Sequence, residues 1–223
     1  MNYSKNLTYF IGTGSTVLMI LGGILAFVGV MSIKGTPFGF VLIGLGIWAA
    51  SAGMEKWPVT DSDYDKEVNG YLSNLKSIAL NKLGVDESEV SEVAPIIFGG
   101  YEFDDVEKVK KGEDGKWRSN IYKVVALFFS AHELHCYTLR FNTLRREDTE
   151  GTEVYFYEDI VSVSTFSANY KVKIGEQEVN VNHEAFKLTT RGGTSFTVNI
   201  SDAQKAQESV NAMRALLREK KQA

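Results

Sequence analysis

One cysteine, three prolines and three histidines occur in 223 residues. A single thiol excludes a disulfide framework and suits a reducing compartment. Basic residues are not in surplus either, with 24 Lys and Arg against 28 Asp and Glu, so no broad nucleic-acid surface is expected. The phosphate loop of nucleotide-binding proteins is missing, because Gly12-Thr13-Gly14 and Gly44-Leu45-Gly46 both fall inside apolar runs. Without a serine nucleophile elbow or a convincing carboxylate pair, the composition argues against an enzyme and implies no cofactor. Internal repeats and low-complexity segments are not apparent.

The largest absence is charge near the beginning. Between Lys5 and Glu55 the only charged residue is Lys34, and every acidic residue lies beyond Met54. Lys34 separates an apolar run over 9–33 from a second over 37–53, and Pro37 suits the first turn of a helix. Each run is near the length that crosses a hydrocarbon core about 30 Å thick, so the pattern predicts a transmembrane hairpin with Lys56 and Trp57 as interfacial anchors. A cleaved signal peptide would need a much shorter apolar region and no second run. Gly22 and Ala26 are spaced four apart in the first run, as are Gly46 and Ala50 in the second, a pattern that allows close helix packing within the hairpin or between chains. No Asp, Glu, Arg or His lies in either run, which leaves a proton relay or ion path without a candidate residue. Lys5 and Lys56 on one side of the hairpin and Lys34 on the other, together with the free Cys136, place both termini and the polar remainder in the cytoplasm, with the chain integral to an inner or plasma membrane.

Beyond Pro58, Asp61 or Asp63 can cap a helix whose stripe is Tyr64, Val68, Tyr71, Leu72, Leu75, Ile78 and Ala79, with Gly84 as its stop. Asp86 to Glu92 is an acidic connector leading to Pro95. From Ile96 onward, β-branched and aromatic residues in short segments predict strands over 96–104, 117–130, 134–144, 153–165, 169–175, 184–190 and 194–200. Arg191-Gly192-Gly193-Thr194 is a tight hairpin signal, since consecutive glycines accept positive φ. Ser201-Asp202-Ala203-Gln204 has capping-box spacing. The helix it opens carries Ala206, Val210, Met213 and Leu217 on one face, with Arg214, Arg218, Lys220 and Lys221 gathered where the helix dipole favours cations.

Seven strands and a final amphipathic helix follow the order of the pleckstrin-homology superfold. The stretches Val124–Ser130, Glu133–Tyr137, Tyr157–Val163 and Phe186–Gly193 resemble its bacterial PH-like and GRAM-like branch. The resemblance implies an α+β membrane protein with three parts: a two-helix transmembrane hairpin (1–57), a linker helix and acidic connector (58–94), and a seven-stranded PH-like β-barrel with a C-terminal helix (95–223). Lipid-gripping PH domains carry a lysine late in the first strand and a basic-x-Arg phrase in the second. Here Lys110 or Lys111 precedes Lys116-Trp117-Arg118, so the resemblance implies an anionic headgroup site at Lys110, Lys111, Lys116 and Arg118, opposed by the acidic residues Asp104, Asp105, Glu107, Glu113 and Asp114 beside it. His132-Glu133-Leu134-His135-Cys136 lacks the histidine spacing of a zinc protease helix, so no metal is expected, and Cys136 suits a buried apolar position.

The function expected from these features is a non-enzymatic, membrane-anchored adaptor whose PH-like domain recognises a protein partner or ligand. The alternatives are a ligand-responsive effector, which resembles the two-helix effectors of bacterial antiphage systems and would self-associate to disturb the bilayer, and an anionic-lipid module. The partners expected are a lipid bilayer and a protein or second copy, with an anionic lipid or small molecule as ligand.

Overall fold

The computed structural model describes residues 1–11, 14–31, 38–54, 59–90, 93–174 and 176–221. The chain divides into two compact units, Asn2–Glu67 and Val68–Ala223. The division between them falls ahead of Val68.

The first unit holds α1 (Tyr3–Ile11), α2 (Gly14–Met31), α3 (Phe38–Met54) and the start of α4 (Asp61–Tyr71). α2 and α3 pack along one another. A Cβ on Gly46 would lie 2.5 Å from the Ala26 nitrogen and 2.7 Å from the Gly22 oxygen, so the bare glycine is what allows the two backbones to meet. Ile20, Ile24, Phe27, Phe40, Ile47 and Trp48 are each more than half exposed, an apolar surface larger than monomers usually leave open. Tyr9 stacks on Tyr64 at 4.4 Å between ring centroids and donates its hydroxyl to Asp61 at 2.7 Å. Thr60, one residue ahead of the expected caps, exchanges bonds with Asp63: the Asp63 N–H donates to Thr60 Oγ1 at 3.1 Å and the Thr60 N–H to Asp63 Oδ2 at 3.3 Å.

Among the described residues no helix is long and apolar enough to cross a membrane. At a rise of 1.5 Å per residue, α2 extends about 27 Å and α3 about 26 Å, short of a hydrocarbon core of about 30 Å. This corrects the transmembrane hairpin and the membrane class, and the integral-membrane location with its cytoplasmic orientation goes with them. Lys34, Pro37, Lys56, Trp57 and Gly175 lie outside the described residues, as does the side chain of Ala50.

The second unit is α+β. After α5 (Leu75–Leu83), Gly84 takes the left-handed conformation at φ 67°, and the Val85 N–H closes back on the Leu80 carbonyl at 3.2 Å, which ends the helix where expected. A short 3-10 turn (Glu87–Val90) leads, among the described residues, to nine strands: β1 (Ile96–Tyr101), β2 (Val109–Lys111), β3 (Trp117–Ser119), β4 (Ile121–Phe129), β5 (Glu133–Asn142), β6 (Asp148–Phe156), β7 (Ile160–Ile174), β8 (Gln177–Thr190) and β9 (Ser195–Ile200). α6 (Ala203–Lys220) follows. All pairings are antiparallel, in one sheet ordered β1-β4-β5-β6, a second ordered β7-β8-β9, and a separate β2-β3 hairpin. Among the described residues nothing pairs β6 with β7, so the expected closed seven-stranded barrel is replaced by two open sheets.

Two of the differences trace to single side chains. The expected strand 117–130 breaks at Asn120, a fully buried residue. Its Oδ1 accepts the N–H groups of Glu107 at 3.0 Å and Lys108 at 2.9 Å, while its Nδ2 donates to Asn142 at 3.2 Å. The expected strand 153–165 breaks at a 3-10 turn over Tyr157–Asp159, whose Tyr157 hydroxyl donates to the Ser130 carbonyl at 2.7 Å.

The sheets join where β1 meets β9. The Ser201 N–H donates to the Gly99 carbonyl at 3.0 Å, and Asn199 Nδ2 to the Tyr101 carbonyl at 2.8 Å. One face of β4 and β5 sends Val125, Leu127, Phe129, Leu134 and Cys136 into a core shared with Phe186 and Leu188 of β8. α6 closes that core with Ala206, Val210, Met213 and Leu217, the stripe its sequence spacing predicts. α5 packs on β4 and β5, and Tyr71 meets Phe141 at 4.8 Å, so β4 is buried along almost its whole length.

Candidate functional site

The C-terminal half of α6 runs beside the first residues of β7. Arg214, Leu217, Arg218 and Lys221 follow at i, i+3, i+4 and i+7, which puts them on one side of the helix. Leu217 turns into the core, and the three cations flank it. Arg214 donates from Nε and Nη2 to the Val163 carbonyl at 3.0 and 2.9 Å, and Lys221 Nζ donates to the Ile160 carbonyl at 2.6 Å. These carbonyls belong to the outermost strand of the second sheet, so side-chain donors cap an edge that no strand covers.

Between those two anchors the strand is irregular. Ile160 pairs with Thr190, but Ser162 pairs with Thr189, so Val161 is the extra residue of a bulge. Ile160 and Val163 are buried while Val161 is 62% exposed. The bulge is braced from β8's end, where the Arg191 N–H donates to the Asp159 carbonyl at 2.7 Å and Arg191 Nη2 to the Glu158 carbonyl at 3.1 Å. Helix and bulge together line an open cavity of about 280 Å³ bordered by Val161, Ser162, Leu217 and the three cations. Among the described residues no Asp or Glu lines it, and Arg218 has no hydrogen-bond or ion-pair partner. The chemistry on offer is that of an anion receptor with an apolar wall.

No protein-family model and no curated protein matches this chain.

The residues singled out from the sequence are distributed differently. Lys110 and Lys111 lie on β2, Lys116 in the turn, and Arg118 on β3 directly opposite Lys110. Arg118 is only 3% exposed and spends its fork on Asp114, with Nη1–Oδ1 at 2.9 Å and Nη2–Oδ2 at 2.8 Å. That bidentate bond holds the Asp114 carboxyl far below the usual carboxylate range. Lys111 sits over the Trp117 ring at 5.8 Å. The hairpin thus brings all four cations to one small element but supplies its own counter-ion to the arginine. Gly22, Ala26 and Gly46 meet inside the α2–α3 pair, as the small-residue spacing allows.

In the His132–Cys136 segment, His135 Nε2 lies 3.6 Å from Glu133, and Cys136 faces the opposite way into the core, where burial pushes its thiol up to about 12. Among the described residues no group of three or more His, Cys, Asp or Glu side chains could hold a metal ion. The residues of the α6–β7 cleft were visible in the sequence only as a basic helix end. Their spacing gives the shared side, but the carbonyls that fix them lie more than fifty residues away.

Proposed function

We propose that this chain is a non-enzymatic binding protein whose strand-rich unit is a pleckstrin-homology-like recognition module for a protein partner. The observation that carries this reading is the α6–β7 cleft, where a bulged edge strand, an exposed valine and three converging cations surround a cavity free of carboxylates. The likeness to the PH superfold is supported by the order of elements: a four-stranded antiparallel sheet, a three-stranded one, then a helix closing the core. For the β2–β3 hairpin as an anionic headgroup site the support is weaker, because Asp114 already occupies Arg118.

The test is selection of a randomised twelve-residue display library on the full chain, followed by binding of the recovered peptides to Val161→Glu. Enriched peptides that lose at least tenfold in affinity on this substitution support the proposal. Failure to enrich any peptide, or enrichment indifferent to Val161→Glu, refutes it.

A second reading, self-association, is favoured by the exposed side chains of α2 and α3. Ile20, Ile24, Phe27, Phe40, Ile47 and Trp48 together expose roughly 800 Å², about what one partner contributes to a standard interface. Sedimentation of the full chain should then show a dimer or larger species that Phe27→Glu with Trp48→Glu converts to monomer. A monomer at all concentrations refutes this second reading.

A further inference from the structure

We infer that the α6–β7 cleft is an oxyanion subsite, which takes a carboxylate or a phosphorylated side chain presented by the protein partner. The inference rests on the recognition role proposed above and specifies its chemistry.

Three features carry it. The first is preorganisation. Long cationic side chains lose substantial rotamer freedom when they are immobilised around a ligand. Here Arg214 and Lys221 are already held by the Val163 and Ile160 carbonyls, so that freedom is lost on folding and not on binding. Each keeps donors beyond those bonds, since an arginine has five N–H groups and an ammonium three. Arg218 adds a complete fork on the same side of the helix.

The second feature is the charge balance of the cleft. Among the described residues the cavity gathers three cations with no carboxylate in its lining, whereas Arg118, Arg140 and Lys82 of the same unit each face an acid, Asp114, Glu102 and Glu150. The cluster concentrates positive charge in a chain whose net charge is −4. It is built to hold one anionic group at short range. The overall negative charge disfavours a broad anionic membrane surface, which is why a peptide is the committed occupant.

The third feature is size and wall. About 280 Å³ is just under the range of sites that enclose a drug-sized molecule, and it suits one side chain with its flanking backbone. Exposed Val161 and the edge of Leu217 would cover the methylene stem of that side chain.

The experiment uses the full chain against an immobilised array of twelve-residue peptides in three classes, acid-rich, phosphorylated on Ser, Thr or Tyr, and neutral. Wild type is compared with Arg218→Gln, Arg218→Glu and, on the β2–β3 hairpin, Lys116→Gln. The expected result is retention of one oxyanion class, weakened about threefold by Arg218→Gln and at least tenfold by Arg218→Glu, unchanged by Lys116→Gln, and reduced as salt rises. The acid-rich and phosphorylated arms decide which oxyanion is preferred. Arg218 is exposed, so both variants should keep the wild-type circular dichroism. Neutral peptides bound as well as anionic ones, or anionic binding indifferent to Arg218→Glu, overturn the oxyanion subsite while leaving the recognition role standing. Silence across all three classes overturns both. Arg218-dependent binding to phosphatidylserine vesicles without peptide binding also overturns the inference, in favour of a lipid headgroup.

Discussion

Replacing Gly100 by alanine should loosen the seam between the two sheets. A Cβ at this position would lie 2.6 Å from the Asn199 oxygen and 2.7 Å from its carbonyl carbon, both backbone atoms that cannot rotate away. β1 and β9 must therefore separate by several tenths of an ångström or more. Overpacking of this kind costs about 1–3 kcal/mol. Stretching the Ser201–Gly99 and Asn199–Tyr101 bonds adds roughly 0.5–1.5 kcal/mol apiece if they are lost. Alanine returns only about 0.4–1 kcal/mol by restricting the unfolded chain. The net expectation is a loss of about 1–5 kcal/mol, which at a urea slope of about 2–3 kcal/mol/M moves the midpoint down by roughly 0.5–2 M. The assay is urea unfolding of the full chain followed by far-ultraviolet circular dichroism. Gly151→Ala on β6 is the control, because nothing lies within 4 Å of its would-be Cβ. A Gly100→Ala midpoint within 0.2 M of wild type would show that the seam is not tight and that the two sheets are held by the core alone.

Asn120→Ala should destabilise by about 1–3 kcal/mol in the same unfolding assay, because it leaves the partly buried N–H groups of Glu107 and Lys108 without their acceptor; a loss below about 0.5 kcal/mol would mean water replaces the side chain. Asp114→Ala leaves Arg118 buried without its counter-ion, and since the aspartate is over a third exposed the expected loss is about 1–2 kcal/mol, well under that of a fully buried pair. The Asp114 carboxyl is depressed in the fold, so its contribution is complete above the unfolded value of about 4 and fades as pH falls toward the folded one. Wild type and Asp114→Ala should accordingly converge in midpoint as urea titrations are taken from pH 6 to pH 3, and a constant gap would count against the ion pair. Cys136 should resist a thiol reagent in the native protein at pH 8 and react at once in urea, given its burial and a thiol pushed up to about 12; rapid native labelling would place it outside the core.

The parts of the fold legible in the sequence are those whose cause is local. Gly84 ends α5 because only a residue free of a Cβ accepts its φ at little cost, and Gly193, at φ 82°, turns the β8–β9 hairpin for the same reason. The apolar stripe of α6 follows directly from helical spacing. What escaped has remote causes. Asn120 breaks a continuous β-like stretch because its partners, Glu107, Lys108 and Asn142, come from elsewhere in the chain, and a polar residue in a strand pattern does not announce them. The apolar runs suggested a bilayer by composition, whereas membrane crossing depends on how many consecutive residues the helices retain. The cleft was half visible: its cations shared a helix side, but a helix dipole explains that equally well until Ile160 and Val163 are seen to accept from them.

The seam between β1 and β9 also sets an order of events during synthesis. It joins residues 98 apart in the sequence, whereas β7 and β8 pair as neighbours along the chain. At roughly 5–20 residues per second, β9 and α6 leave the ribosome several seconds after β6 has emerged. Until then the inner face of β4 and β5, with Val125, Leu127, Phe129 and Leu134, has no cover. A nascent chain in that interval presents the kind of surface that chaperones hold, and it has no cleft to offer a partner. The α6–β7 cleft therefore takes shape only with the last turns of α6, so the same residues that complete the core also complete the cleft.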